Sequence, residues 1–250
     1  MKNNQIRAVL FDCDGVVIDS GNDIADAVNA AMEHFGYKTV SFEKLISFVG
    51  DGVRNLVVRA LAWSKELASP DELEMPEAEL SEFMTWYVNY YNEHAVVKTR
   101  LYPGFEDAIK ALHANGIRMG IVTNKPTNIL MSILNHFGIA EYFDAPVGSD
   151  DVKKLKPDPE GLAVALERIN AKIISLGFAP VAPDETVMVG DSATDIMAGK
   201  AFGAFTCGIR YGIGNAEKML SAGPDITAGL AAEACNAIIL ANKITAGIQQ

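Results

Sequence analysis

Short apolar runs that stop abruptly at polar clusters constrain this chain more than any other feature of its sequence. Residues 6–11 (IRAVLF) end at Asp12-Cys13-Asp14-Gly15, 117–122 (IRMGIV) at Thr123-Asn124-Lys125, and 186–189 (TVMV) at Gly190-Asp191-Ser192. Runs at 143–147 (FDAPV) and 204–209 (AFTCGI) share their length and character. Such runs, bounded by turn residues, read as buried strands. Helical patterns lie between them, near 105–115, 126–137, 159–173 and 192–202. Strands alternating with helices predict an α/β fold, a parallel sheet with helices on both faces.

Residues 20–98 break this rhythm. Segments 22–36, 41–63 and 76–94 read as helices, punctuated by Ser69-Pro70 and Met75-Pro76. A helical block between the first two strands predicts an inserted domain, residues 20–98, within a core formed by 1–19 and 99–250. Tyr102-Pro103-Gly104 reads as the return hinge, 174–185 as a surface loop, and 225–242 as a last strand fragment and a closing helix.

The formal charge of −11 argues against nucleic acid or an anionic membrane as partner. The same charge requires local cations if the ligand is itself an anion. Three cysteines at irregular spacing suit neither a zinc site nor a disulfide framework. With no signal peptide pattern and no long apolar stretch, a cytoplasmic protein is expected.

Ligands of an open parallel sheet bind beyond the carboxyl ends of its strands, so the polar clusters gain weight from their position. Asp12 and Asp14 sit two apart, and alternate strand residues share a face. Paired carboxylates repel unless a cation offsets them, and an oxygen-ligated magnesium ion does so. One carboxylate can then attack phosphorus and the other move a proton. By itself the pair reads sooner as a solvated turn or a helix N-cap. Thr123 and Asn124 can hold phosphoryl oxygens, although a helix N-cap before Pro126 explains them as well. Lys156, between Leu155 and Pro157-Asp158-Pro159, can neutralise a phosphoryl group from a stiff turn or simply face solvent. Asp191 can complete a metal site. Asp195 reads either as support for it or as an acidic first-turn residue.

In order along the chain, FDCDGVVIDS, IVTNKP, KLKPDP and VGDSATDI resemble the four motifs of the haloacid dehalogenase superfamily. The resemblance implies a Rossmann-like core with a small helical cap. It implies Asp12 as nucleophile and Asp14 as general acid and base. Thr123 and Asn124 would be phosphate ligands and Lys156 the neutralising lysine. Magnesium would be held by Asp12, the Asp14 carbonyl and Asp191, with Asp195 in support. Asp14 points to phosphoryl transfer, because dehalogenase members lack it.

Within the superfamily the chain is most similar to phosphoglycolate phosphatases. FVGDG at 48–52, LYPGFEDAIKALHANGI and GSDDVKKLKPDP carry this likeness. Residues 64–80 and 170–185 are longer than usual there, and Cys13 replaces a bulkier apolar residue. The expected ligand is a small phosphorylated metabolite, and the protein a monomer or homodimer. A sugar phosphomutase, a pyrophosphatase or a non-catalytic binding protein on the same fold are the alternatives. Gly50 would let backbone approach the ligand. Arg54 is the candidate for a substrate carboxylate, and Arg59 stands ~140° around the helix from it. The helically spaced Phe83, Trp86, Tyr87, Tyr90 and Tyr91 read as cap packing.

Overall fold

The computed structural model describes residues 5–248. Six parallel strands form the central sheet: β1 (Ala8–Phe11), β4 (Arg118–Val122), β5 (Ala145–Val147), β6 (Thr186–Gly190), β7 (Phe205–Ile209) and β8 (Ile226–Ala228). Their spatial order is β5-β4-β1-β6-β7-β8. The chain therefore builds outward on one side of β1, then returns to build outward on the other. That reversal at β1 is the switch point where an open sheet leaves a crevice at its carboxyl edge.

Strand alternation feeds two cores. Val9 and Phe11 of β1 face one cluster with Met119, Ile121 and Val189, while Ala8 and Leu10 face the other with Val122 and Met188. The first face is covered by α5 (Phe105–Ala114), α6 (Thr127–His136) and α10 (Ala231–Ile248). The second is covered by α7 (Glu160–Ser175) and α8 (Ala193–Phe202). With both faces covered, these strands read as continuous apolar runs. Each large buried side chain contributes ~1.5–3 kcal/mol. Phe11 adds edge-on contacts to Phe105 and Phe143, at 5.4 and 6.3 Å between ring centres.

A two-stranded antiparallel ribbon, β2 (Ile18–Asp19) with β3 (Arg100–Leu101), joins the chain leaving the sheet to the chain returning. At two residues per strand it is too short for any periodic signal. Between the ribbon strands lie the cap helices α1 (Gly21–His34), α2 (Phe42–Ile46), α3 (Val53–Ser64) and α4 (Glu77–His94). The helix expected over 41–63 is two helices. Gly50 and Gly52 have φ of +118° and +87°, which no right-handed helix accommodates. A short helix α9 (Ala216–Ser221) after β7 was not expected.

The aromatic group of α4 splits into two stripes at helical spacing. Phe83, Tyr87 and Tyr91 are buried, whereas Trp86, Tyr90 and His94 stack in a column that His34 extends. The cap is also tied to the returning linker. Buried Asp23 of α1 accepts hydrogen bonds from the N–H groups of Lys98 and Thr99 and from the Thr99 hydroxyl, at 2.8–2.9 Å. Among the described residues, no helix is long and apolar enough to cross a membrane.

Candidate active site

The carboxyl ends of β1, β4 and β6 converge on one cleft, closed from above by the cap. Asp12 follows β1, Thr123 follows β4 and Asp191 follows β6, and all three line it with Asp14, Asn124 and Gly50. Lys156 arrives differently. It stands beyond the end of β5, on the loop after a 3₁₀ turn at Ser149–Asp151 rather than at a strand end. That loop is long enough to carry the ammonium back to the β1 edge.

Lys156 Nζ lies 2.8 Å from Asp12 Oδ1 and 2.6 Å from Asp195 Oδ1. Burial works against its charge, but Asp12 and Asp195 outweigh it and hold the ammonium above its ordinary pKa. Asp195 is both the acidic first-turn residue of α8 and a partner of Lys156. As the third residue of α8 it accepts from the Ser192 N–H at 3.0 Å and hydroxyl at 2.6 Å, forming a capping box, while its other oxygen holds Lys156.

Asp191 is set by a backbone cradle. Gly214 N–H donates to its Oδ2 at 2.8 Å. A Cβ placed on either Gly15 or Gly212 would stand 1.9 Å from that same oxygen. Only glycine lets backbone come so close. The loop 211–215 (YGIGN) is thus part of the site, and its paired glycines are the signal that sequence reasoning passed over.

Carboxylate oxygens of Asp12, Asp191 and Asp195 lie within 4.8 Å of one another. Burial, then Asp195, push the Asp12 carboxyl up to about 7 against the pull of Lys156. Burial, then Asp195 and Asp12, drive Asp191 well above the usual carboxylate range. Burial is the first cause and crowding of like charge the second: four carboxylates, counting Asp14, face the two ammonium groups Lys125 and Lys156. The shortfall equals one divalent cation, and the available donors are all oxygen, as a hard cation requires.

The Asp14 carboxylate stands apart from this group. It accepts from the Ser20 hydroxyl and pairs with Lys125 Nζ at 3.0 Å. Sequence reasoning gives neither partner a role. Lys125 is buried and reaches the cap, where its ammonium donates to the Tyr91 hydroxyl at 2.5 Å and lies 4.4 Å over the Tyr91 ring. Burial lowers the Lys125 pKa, yet Asp14 outweighs that and leaves it raised. Tyr87 and Tyr91 both line the cleft, so these two rings do more than pack the cap.

The Asn124 side chain is committed to the loops around the site, which leaves its backbone N–H as the group for a phosphoryl oxygen. Its Oδ1 accepts from the Lys156 N–H at 3.0 Å, and its Nδ2 donates to the carbonyls of Gly50 at 2.9 Å and Lys156 at 3.2 Å. It stitches the cap loop to the lysine loop. Arg54 is a correction. It makes an exposed bidentate pair with Glu77, at 2.6 and 2.8 Å, outside the cleft. The α3 helix begins at Val53, which turns Val53 and Leu56 inward and Arg54 outward. Arg59 also serves structure, bonding Asp51 at 2.5 Å and the Phe48 carbonyl at 3.0 Å.

The cavity is small, ≈ 60 Å³ as traced by water centres. That is room for only about four to six waters.

Residues 6–203 match the family model of haloacid dehalogenase-like hydrolases. The phosphoglycolate phosphatase of Salmonella typhimurium is 34% identical over 235 residues, covering 90% of this chain and 89% of that protein. The phosphoglycolate phosphatase of Escherichia coli K12 is 33% identical over the same coverage. A crystal structure of "a predicted phosphoglycolate phosphatase" from Haemophilus somnus superposes with a TM-score of 0.79 at 27% identity, over 95% of this chain and 99% of the other. With its Rossmann-like core and helical cap, the chain belongs to the haloacid dehalogenase-like hydrolase family, as a phosphoric monoester hydrolase similar to phosphoglycolate phosphatases.

Proposed function

We propose that this enzyme hydrolyses a small acidic phosphate monoester, 2-phosphoglycolate foremost, through an aspartyl phosphate on Asp12. The observation that carries this reading is the division of labour between two carboxylates two residues apart. Asp12 is held by Lys156 at the β1 edge, and Asp14 is held separately by Lys125 and Ser20. The relatives named above are phosphoglycolate phosphatases.

The Asp12 carboxylate attacks phosphorus, forming an O–P bond as the ester P–O bond breaks. Asp14 gives its proton to the departing alkoxide. Asp14, now a base, takes a proton from water as the water oxygen bonds to phosphorus and the Asp12 O–P bond breaks, releasing phosphate and restoring Asp12 as a carboxylate and Asp14 as an acid. Thr123 and the backbone that follows it position the phosphoryl oxygens, and Lys156 offsets their charge. The clustered carboxylates of Asp12 and Asp191, with the Asp14 carbonyl and Asp195 in support, would hold magnesium, which would supply charge neutralisation for the phosphoryl group. The cap, whose boundaries we place at 19/20 and 98/99, keeps bulk water out until the covalent intermediate has formed.

Purified protein with magnesium should release phosphate from 2-phosphoglycolate, and Asp12→Asn should reduce the rate to background. Equal or greater activity on many sugar phosphates, with little on 2-phosphoglycolate, would overturn the substrate assignment.

A further inference from the structure

We propose that Lys125 is the specificity-determining residue of this cleft, its ammonium receiving the carboxylate of an acidic phosphate ester against the Tyr91 wall of the cap. This deepens the functional reading above and rests on it.

The phosphoryl end of the ligand belongs beside Asp12 and Lys156, so the leaving group must extend past Asp14. The next cation in that direction is Lys125, whose Nζ stands 3.0 Å from Asp14 Oδ1. An ammonium has three donors and no acceptor. In the described structure one goes to Asp14 and one to the Tyr91 hydroxyl, and Lys125 lines the cavity. The third donor is the one a ligand can use.

The cap provides no competitor. Its wall consists of Ile24, Val49, Val53, Leu56, Tyr87 and Tyr91 with glycine backbone, without a lysine or arginine. Arg54 and Arg59 are committed to Glu77 and Asp51. Apart from the Tyr87 and Tyr91 hydroxyls and the glycine backbone that wall is aliphatic, so most sugar hydroxyls buried against it would lose hydrogen bonds. The spacing suits a carboxylate one methylene away from the ester oxygen. At ~1.5 Å per bond, the proton donor to that oxygen and the cation for that carboxylate must be neighbours, as Asp14 and Lys125 are.

The test compares 2-phosphoglycolate with 2-hydroxyethyl phosphate, which keeps the skeleton and replaces the carboxylate by an alcohol. Wild-type enzyme should prefer the acid. Lys125→Gln should lower kcat/KM for both esters, because Asp14 loses its partner, but the acid-to-alcohol ratio should fall by about 10- to 100-fold, as expected for one charge-assisted hydrogen bond. Lys125→Arg should recover part of that ratio. An equal loss for both esters would show that Lys125 acts only through Asp14, and would overturn the proposal. A second measurement needs no variant. Glycolate should inhibit the wild type competitively and ethylene glycol should not, and equal inhibition by the two would also overturn it. A wild type that hydrolyses neither ester would instead bring down the phosphatase reading, and this proposal with it.

Discussion

The two walls of the cleft are built on opposite plans. The core wall is charged and interlocked: Asp12, Lys156 and Asp195 form one chain of contacts at 2.6–2.8 Å, and Asp14 pairs with Lys125 beside it. The cap wall is apolar, and its charges are spent on its own surface. Hydrogen bonds from Asn124 to the Gly50 carbonyl, from Lys125 to Tyr91 and from the Ser20 hydroxyl to Asp14 join the walls. A charged wall pinned to strand ends fixes where a reaction occurs. An apolar wall on a ribbon-linked insert fixes the size and polarity of what enters. Bond-making rests with the core wall, whereas selection is shared between the cap wall and Lys125.

The largest separation should come from Asp14→Asn. Losing the proposed acid and base should lower kcat by about 10²–10⁴-fold, with KM for 2-phosphoglycolate changing far less. Stopped-flow and steady-state rates check this, and a KM effect as large as the kcat effect would erase the division between walls.

Next comes the charge deficit of the core wall. The Asp12 carboxyl rises from 3.8 to about 7 on folding, and Asp191 rises as well. The folded state then binds the extra proton between those values, so stability falls as pH rises through that window. Chelated protein should accordingly be less stable at pH 8 than at pH 5.5. Magnesium should restore stability most at pH 8, by about 2.7 kcal/mol at a hundredfold excess over Kd. Urea titrations with and without chelator measure both effects, and a magnesium effect independent of pH would show that these carboxylates are not what the ion relieves.

The smallest effect is expected at Arg54→Ala. Its pair with Glu77 is exposed and outside the cleft, and surface pairs contribute little. Both kcat and KM should stay at the wild-type values, whereas a raised KM for 2-phosphoglycolate would return Arg54 to the cap wall.

The sheet was legible because burial on both faces leaves strands as apolar runs, and Asp12, Thr123 and Asp191 were legible because they interrupt those runs. Lys156 was legible only as a motif, since its loop carries it to the site from well past its strand. Lys125 was hidden by its neighbours: a lysine beside Thr123 and Asn124 looks like a helix-start residue until a partner is seen across the cleft. Tyr91 was hidden by period alone. Residues 83, 87 and 91 repeat every four, as do 86, 90 and 94, and nothing in that spacing says which stripe faces the cleft. Arg54 failed for a related reason, because the glycine break resets the helix phase just before it. The helix begins at Val53.

The glycine cradle around Asp191 bears on how this enzyme can change over time. A replacement at Gly15 or Gly212 adds at least a carbon where an acidic oxygen already stands, 1.9 Å from the new atom. Neither position has a conservative neighbour to drift through. A library of random variants should find both nearly invariant among active clones, while the exposed Arg54–Glu77 pair scatters freely. Adaptation to a new ester is then channelled into the cap, where side chains can be exchanged without disturbing the acid that the strands hold in place.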